Sequence, residues 1–177
     1  MSFTEKMKNH LTEFGWSESR KINDYDVFMD KYNYPDFIKE FLREFGGIKL
    51  KTLNPIEKNK LNDRLRINLN PLDSDGMGKD SVAQDWSSDI GRKLYVVGLY
   101  SPENFDIAVD ENGAVYFLGE YCQCLSNDLY KGIEAIVRVD VGGGIELNPK
   151  DTTSGKWYDW SGNLINFESH KYKYNKF

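Results

Sequence analysis

The feature that most constrains the fold of this chain is a change of hydrophobic period near residue 47. Before it, apolar residues recur every three or four positions; after it, they alternate. Phe3, Met7, Leu11 and Phe14 trace the buried stripe of an amphipathic helix that Gly15 ends. Phe37, Ile38, Phe41, Leu42 and Phe45 trace a second helix, opened by Pro35 and closed by Gly46 and Gly47. A short helix over Tyr25–Tyr32, capped by Asp24, is expected between them. From Ile48 onward, Ile48, Leu50 and Thr52 face one way and Lys49 and Lys51 the other, which predicts a strand. The polar stretch Asn54–Asp63 reads as a loop before a second strand, in which Leu65, Ile67 and Leu69 alternate with Arg66 and Asn68.

Further strands are expected over Lys93–Leu99, around Phe105, Ile107 and Val109, over Ala114–Leu118 and over Tyr121–Leu125. Asp110-Glu111-Asn112-Gly113 supplies a hairpin turn between two of them. One helix, Val82–Ile90 ended by Gly91, interrupts the strands. Another, carrying Leu129, Ile133, Ile136 and Val137 and capped by Asn127 or Asp128, follows them. This segregation predicts an α+β fold, with helices packed on a mostly antiparallel sheet, rather than a doubly wound parallel one.

A length of 177 residues suits one domain. The domain is expected over residues 1–140, with a C-terminal extension over 141–177. The extension holds a glycine break at Gly142–Gly144, a packed hairpin within Trp157–Ile165 and a basic, aromatic end from Lys171 to Phe177. No run approaches the ~20 apolar residues of a membrane span, and the N-terminus lacks a secretion pattern, so a cytoplasmic protein is expected. Cys122 and Cys124 sit two apart on a strand, a poor geometry for a disulfide, and no histidine pattern joins them in a zinc site. Reduced structural thiols are expected.

The net charge of −5 is unevenly spread. Pro71–Tyr130 carries eleven acidic and three basic side chains, a balance of −8 that leaves +3 for the remainder. Phosphate contact needs clustered Lys and Arg, so nucleic acid is excluded as the expected partner and a basic protein fits better. Catalytic patterns are missing as well. The glycines at 142–144 lack the Gly-Lys-Ser/Thr of a phosphate loop, and no Gly-x-Ser-x-Gly elbow occurs. Asp73-Ser74-Asp75-Gly76 is similar to the opening of a calcium loop, but Gln84 stands where the bidentate Glu belongs. Asp106 and Asp110 bracket a strand on its polar side, where solvation is expected. The chain therefore reads as a binding protein without cofactor or metal, not an enzyme.

Four segments in order carry a family resemblance: Gly15-Trp16-Ser17-Glu18-Ser19-Arg20, Phe41-Leu42-Arg43-Glu44-Phe45-Gly46-Gly47, Tyr95-Val96-Val97-Gly98, and Ile107 through Tyr116. Over about residues 8–140 they resemble the SUKH superfamily of immunity proteins, in particular the subfamily whose first helix ends in Gly-Trp-x-x-x-Arg. The resemblance implies an α+β protein that shields a bacterium from a polymorphic toxin used in contact-dependent competition. Such a toxin is usually encoded next door and is met by tight binding rather than catalysis. Trp16, Arg20, Gly46, Gly47, Gly98, Asp110 and Gly113 match the pattern and read as structural. If the turn after Gly15 is helical, the Arg20 guanidinium is expected against the Trp16 indole or a nearby carboxylate. The toxin contact is expected on the acidic loops and their aromatics: Asp73, Asp75, Asp80, Asp85, Trp86, Asp89, Tyr100, Glu103 and Asp106. Such a surface suits a basic toxin such as a nuclease domain. A cytoplasmic scaffold or regulatory protein-binding module of the same fold is the alternative, marked by a locus without a toxin gene.

Overall fold

The computed structural model describes residues 2–54, 56–57, 60–74, 77–139, 144–147 and 156–172. Helices α1 (Glu5–Glu13), α2 (Asp26–Lys31) and α3 (Asp36–Phe45) come first, then strands β1 (Lys49–Leu53) and β2 (Leu61–Asn68). Helix α4 (Val82–Ile90) precedes β3 (Leu94–Ser101), β4 (Phe105–Asp110), β5 (Val115–Leu118) and β6 (Cys122–Ser126). Helix α5 (Leu129–Val137) then leads to β7 (Ile145–Leu147), β8 (Trp157–Tyr158) and β9 (Leu164–Ile165). Among the described residues the strands form one antiparallel sheet whose spatial order is the chain order, β1 to β9. The fold is α+β, as the change of period predicts.

Both faces of strands β3–β6 are covered, and the side-chain alternation of the strands sorts residues between them. Leu50, Ile67, Tyr95, Val97, Ile107, Val109 and Phe117 share one core with α1, α2, α3 and α5. Leu94, Val96, Ala108, Tyr116, Leu118, Cys122 and Cys124 share a second with Ala83 and Trp86 of α4 and with Trp157 of β8. Strands β5 and β6 are therefore buried at every residue. Polar ties fix the helical layer. Thr4 caps α1 by accepting from Met7 N and donates its hydroxyl to Glu134 of α5. His10 Nε2 lies 2.9 Å from Lys51 O, and the Tyr34 hydroxyl donates to Val96 O at 2.7 Å.

The Gly15–Arg20 element joins α1 to the end of α3. Trp16, 7% exposed, stacks on Phe45 with ring centroids 5.9 Å apart. The segment after Gly15 is not helical, and Arg20 lies against neither the indole nor a carboxylate. Its Nη1 donates to Glu44 O at 2.8 Å and its Nη2 to Gly46 O at 2.6 Å, capping carbonyls that the end of α3 leaves unpaired. Gly46 is required by close approach, since a Cβ there would lie 2.3 Å from Leu42 O and 2.5 Å from the Tyr25 ring. Gly47 N then donates to Leu69 O at 2.7 Å, which starts the sheet. At Gly98, beside the β3–β4 bulge, a Cβ would lie 2.4 Å from Asn68 O, so the β2–β3 approach also demands glycine.

Three other expectations are corrected. Helix α2 begins after Tyr25 with no side-chain cap, so Asp24 does not cap it. Strand β2 begins at Leu61, inside the stretch expected as loop, because pairing of Leu61 with Leu53 satisfies its backbone whatever its composition. Asp106 and Asp110 are buried, at 6% and 0% exposure, because the second core covers the side of β4 expected to be solvated. Asp110 is fully partnered there. Its Oδ1 accepts from Asn112 N and Ala114 N at 2.9 Å each, and its Oδ2 accepts from the Tyr116 hydroxyl at 3.0 Å and Arg92 Nη1 at 3.1 Å. Gly113, with φ +90°, completes that turn.

Burial also sets a pH limit. It raises the Tyr34 and Tyr116 phenols well above their usual 10, Tyr100 to about 12, and the Cys124 thiol from 9.0 to about 12. Each folded-state pKa exceeds its unfolded value, so these groups stabilise fully below pH 9–10 and that stability is lost as pH climbs towards 12. Melting temperature should fall steadily across that window in a thermal scan, and the native thiols should resist alkylation at pH 8. Arg20→Ala should cost about 2 kcal/mol in urea unfolding, the worth of charged hydrogen bonds to carbonyls. Asp110→Asn should cost about 3 kcal/mol, because it removes the fully buried charge that pairs with Arg92.

Candidate functional site

Helix α4 lies on the second face of the sheet, against β3 and β5. Ser81 caps it by accepting from Gln84 N at 3.3 Å, and Gly91 ends it in the left-handed conformation at φ +66°. Trp86 seats it: the indole is 9% exposed and its Nε1 donates to Gly119 O at 3.2 Å. Asp85 and Asp89, four residues apart, are both exposed and neighbour each other on the helix surface.

The nine residues expected to meet a partner do not form one surface. Asp80, Asp85, Asp89 and Glu103 are exposed. Asp73 is exposed too, but accepts from Asn70 Nδ2 at 2.7 Å and from Asn68 Nδ2, bracing its own loop. Trp86, Tyr100 and Asp106 are corrected: all three are buried, at 6–9% exposure, and belong to the interior. Trp86 packs in the second core, while Tyr100 packs in the first against Phe117, 5.0 Å between centroids, on the other side of the sheet. Asp75 lies outside the described residues.

Two further surfaces were not foreseen. Lys49, Arg64 and Arg66 are exposed on the second side of β1 and β2, opposite Leu50, Leu65 and Ile67, where no helix among the described residues covers the sheet. The other surface is a groove of about 710 Å³ between the C-terminal end of α4 (Ile90, Gly91, Arg92) and the β8–β9 hairpin. Lys156, Trp157, Leu164, Ile165 and Phe167 also line it. Trp157 is 6% exposed and lies 4.9 Å from Phe167. The Arg92 guanidinium sits 4.6 Å over the Phe167 ring while pairing with Asp110, so the groove floor is tied to the sheet. The Tyr172 hydroxyl donates to Cys124 Sγ at 2.9 Å, a second tie between the end of the chain and the sheet.

At the tip of the hairpin, Asp159 organises the turn. Its Oδ1 accepts from Ser161 N and Asn163 N, both at 2.9 Å, and its Oδ2 accepts from Asn163 Nδ2 at 3.0 Å. The Asn163 side-chain amide first, then the backbone N–H groups, hold the Asp159 carboxyl below its usual range. Trp160 and Leu164, flanking this turn, remain 56% and 63% exposed. The available signal was the Asp-Trp-Ser-Gly-Asn turn, whose Asx chemistry presents the residue it encloses. Both thiols are buried, and among the described residues no three His, Cys, Asp or Glu side chains are placed to hold a metal.

No curated protein and no solved structure matches the chain. The family model for SUKH-3 immunity proteins matches residues 3–139, from the start of α1 to the end of α5. That span includes the Arg20 cap, both glycine approaches and the Asp110 turn, and it covers well over half of the sequence; the chain belongs to the SUKH-3 immunity protein family.

Proposed function

We propose that this protein binds and neutralises a polymorphic bacterial toxin, occluding the toxin's working surface without performing chemistry of its own. The observation that carries the reading is the family match over residues 3–139. The partner that best suits the chain is basic, such as a nuclease domain, encoded by a neighbouring gene and met in the cytoplasm. Asp80, Asp85, Asp89 and Glu103 leave their carboxylates exposed, and in the proposed complex they form the charged rim. Exposed rim charges act mainly by steering the encounter, so their effect lies in association rate and salt dependence. Toxins that cleave nucleic acid are commonly basic for the same reason that their substrates are anionic, and an acidic inhibitor exploits that charge.

Co-expression with the toxin domain encoded by the adjacent reading frame tests the reading: cells carrying both should grow, and cells carrying the toxin alone should not. Equal killing in both would refute it for that pair. The double charge reversal Asp85→Lys/Asp89→Lys should slow association about tenfold at low salt in stopped-flow or biosensor kinetics. The difference should shrink as salt shortens the Debye length.

A further inference from the structure

We propose that the second side of β1 and β2 is a dimer surface, on which α4 of a second copy of this chain docks. The inference goes beyond the toxin reading and stands without it. Lys49, Arg64 and Arg66 are exposed there, and the strand register sets Lys49 opposite Asn68 and Lys51 opposite Arg66. The four cations share one side of the paired strands, since alternation sends Leu50, Leu65 and Ile67 to the first core. Asp63, the carboxylate beside them, is taken by Lys51 at 2.8 Å. Asp73, beyond Asn68, is held by Asn68 and Asn70. Lys49, Arg64 and Arg66 have no ion pair among the described residues. A like-charged cross-strand pair such as Lys51 and Arg66 costs stability, and an acidic surface laid over it relieves that cost.

The chain itself carries the matching surface. Helix α4 packs Ala83 and Trp86 into the second core, against β3 and β5. Its exposed positions are Gln84, Asp85, Ser88 and Asp89, two carboxylates and no cation. Neither carboxylate has an ion pair among the described residues. Like charges four residues apart on a helix repel. No basic residue stands in the last turn to offset Asp89 at the negative end of the helix dipole. Each surface is thus self-repelling alone, and each supplies the charge that the other needs.

Placement lets the two surfaces close on each other. Both lie on the second side of the sheet, so a two-fold rotation brings each α4 over the other copy's β1 and β2 and makes two equal contacts. A helix is about 10 Å across, so α4 beside uncovered strands forms a step that the partner's helix fills. Exposed ion pairs contribute little apiece, so the dimer is weak and salt-sensitive, with Kd on the order of tens of micromolar. A toxin that meets the rim on α4 and a second copy of the chain would then exclude each other.

Sedimentation velocity of the full chain at about 5 and about 100 μM, in low and high salt, is the test. At low salt, wild type should pass from monomer to dimer as concentration rises, and high salt should reverse this. R64E/R66E and D85K/D89K should each weaken self-association at least about tenfold. An equimolar mixture of the two should dimerise again, because one presents two acidic surfaces and the other two basic ones. K131E, a charge reversal on α5 across the sheet, should behave as wild type. Melting temperatures should stay close to wild type, because every altered side chain is exposed. Wild type that stays monomeric at the higher concentration in low salt overturns the proposal. So does a dimer that survives both reversals, or a mixture that fails to associate. A monomeric wild type that binds a short single-stranded oligonucleotide gives the cations to phosphate and overturns it as well. Protection in co-expression by a monomeric chain overturns the dimer alone, whereas a dimer that gives no protection overturns the toxin reading alone.

Discussion

The Asp110 carboxylate is the interaction on which most of this architecture converges. One oxygen takes two backbone N–H groups and thereby shapes the turn between β4 and β5. The other takes Tyr116 from the second core and Arg92 from the exit of α4. A fully buried carboxylate is tolerable only when all its lone pairs are occupied, and here the partners come from three different parts of the chain. Arg92 then passes the constraint outward to Phe167, while Tyr116 stacks parallel to the same ring at 6.4 Å. The C-terminal hairpin is thus coupled to the centre of the sheet through a charge that solvent never reaches.

That coupling matters because the sheet has little face to offer a partner. Strands β3–β6 are buried on both sides, by α1, α2, α3 and α5 on one and by α4 and the β8–β9 hairpin on the other. Contact surfaces must come from the covering elements or from the uncovered part of β1 and β2. The second side of the sheet carries both signs of charge: carboxylates on α4 and the cations Lys49, Arg64 and Arg66 on the hairpin strands. An approaching charged protein would be oriented by such a separation as well as attracted by it.

Much of this fold was legible in the sequence, because burial imposes a period on the chain. The stripe Ile38, Phe41, Leu42 and Phe45 and the helix Val82–Ile90 ended by Gly91 stand where spacing puts them, whereas Phe37, expected on the same stripe, is 41% exposed. What was not legible depended on layers that one strand cannot report. Alternation in β4 separates Asp106, Ala108 and Asp110 from Ile107 and Val109, but it does not tell whether a second layer covers the polar side. The second layer does cover it, and two apparent surface carboxylates are interior. Arg20 failed as a local prediction for a related reason. Its partners are carbonyls 24 and 26 residues away, brought close only when α3 packs beside the first turn. In the candidate site, the exposed carboxylates of α4 followed from helical spacing, whereas the groove exists only once the chain's end folds back onto α4.

The aromatic richness of the chain can now be divided by cause. Most of the rings fill the two cores: Phe3, Phe41, Phe45 and Tyr130 form one cluster beneath α1 and α3, while Tyr116, Trp157 and Phe167 form another under the hairpin. Composition therefore says little about binding, since packing accounts for nearly all of it. Among the described residues Phe37 and Trp160 are the most exposed rings, at 41% and 56%, and the second is the larger departure. A folded chain with space for three indoles inside has no packing need to display the fourth, and exposing a large apolar ring costs hydration free energy. Trp160 is displayed on a turn that the protein stiffens with the Asp159 carboxylate.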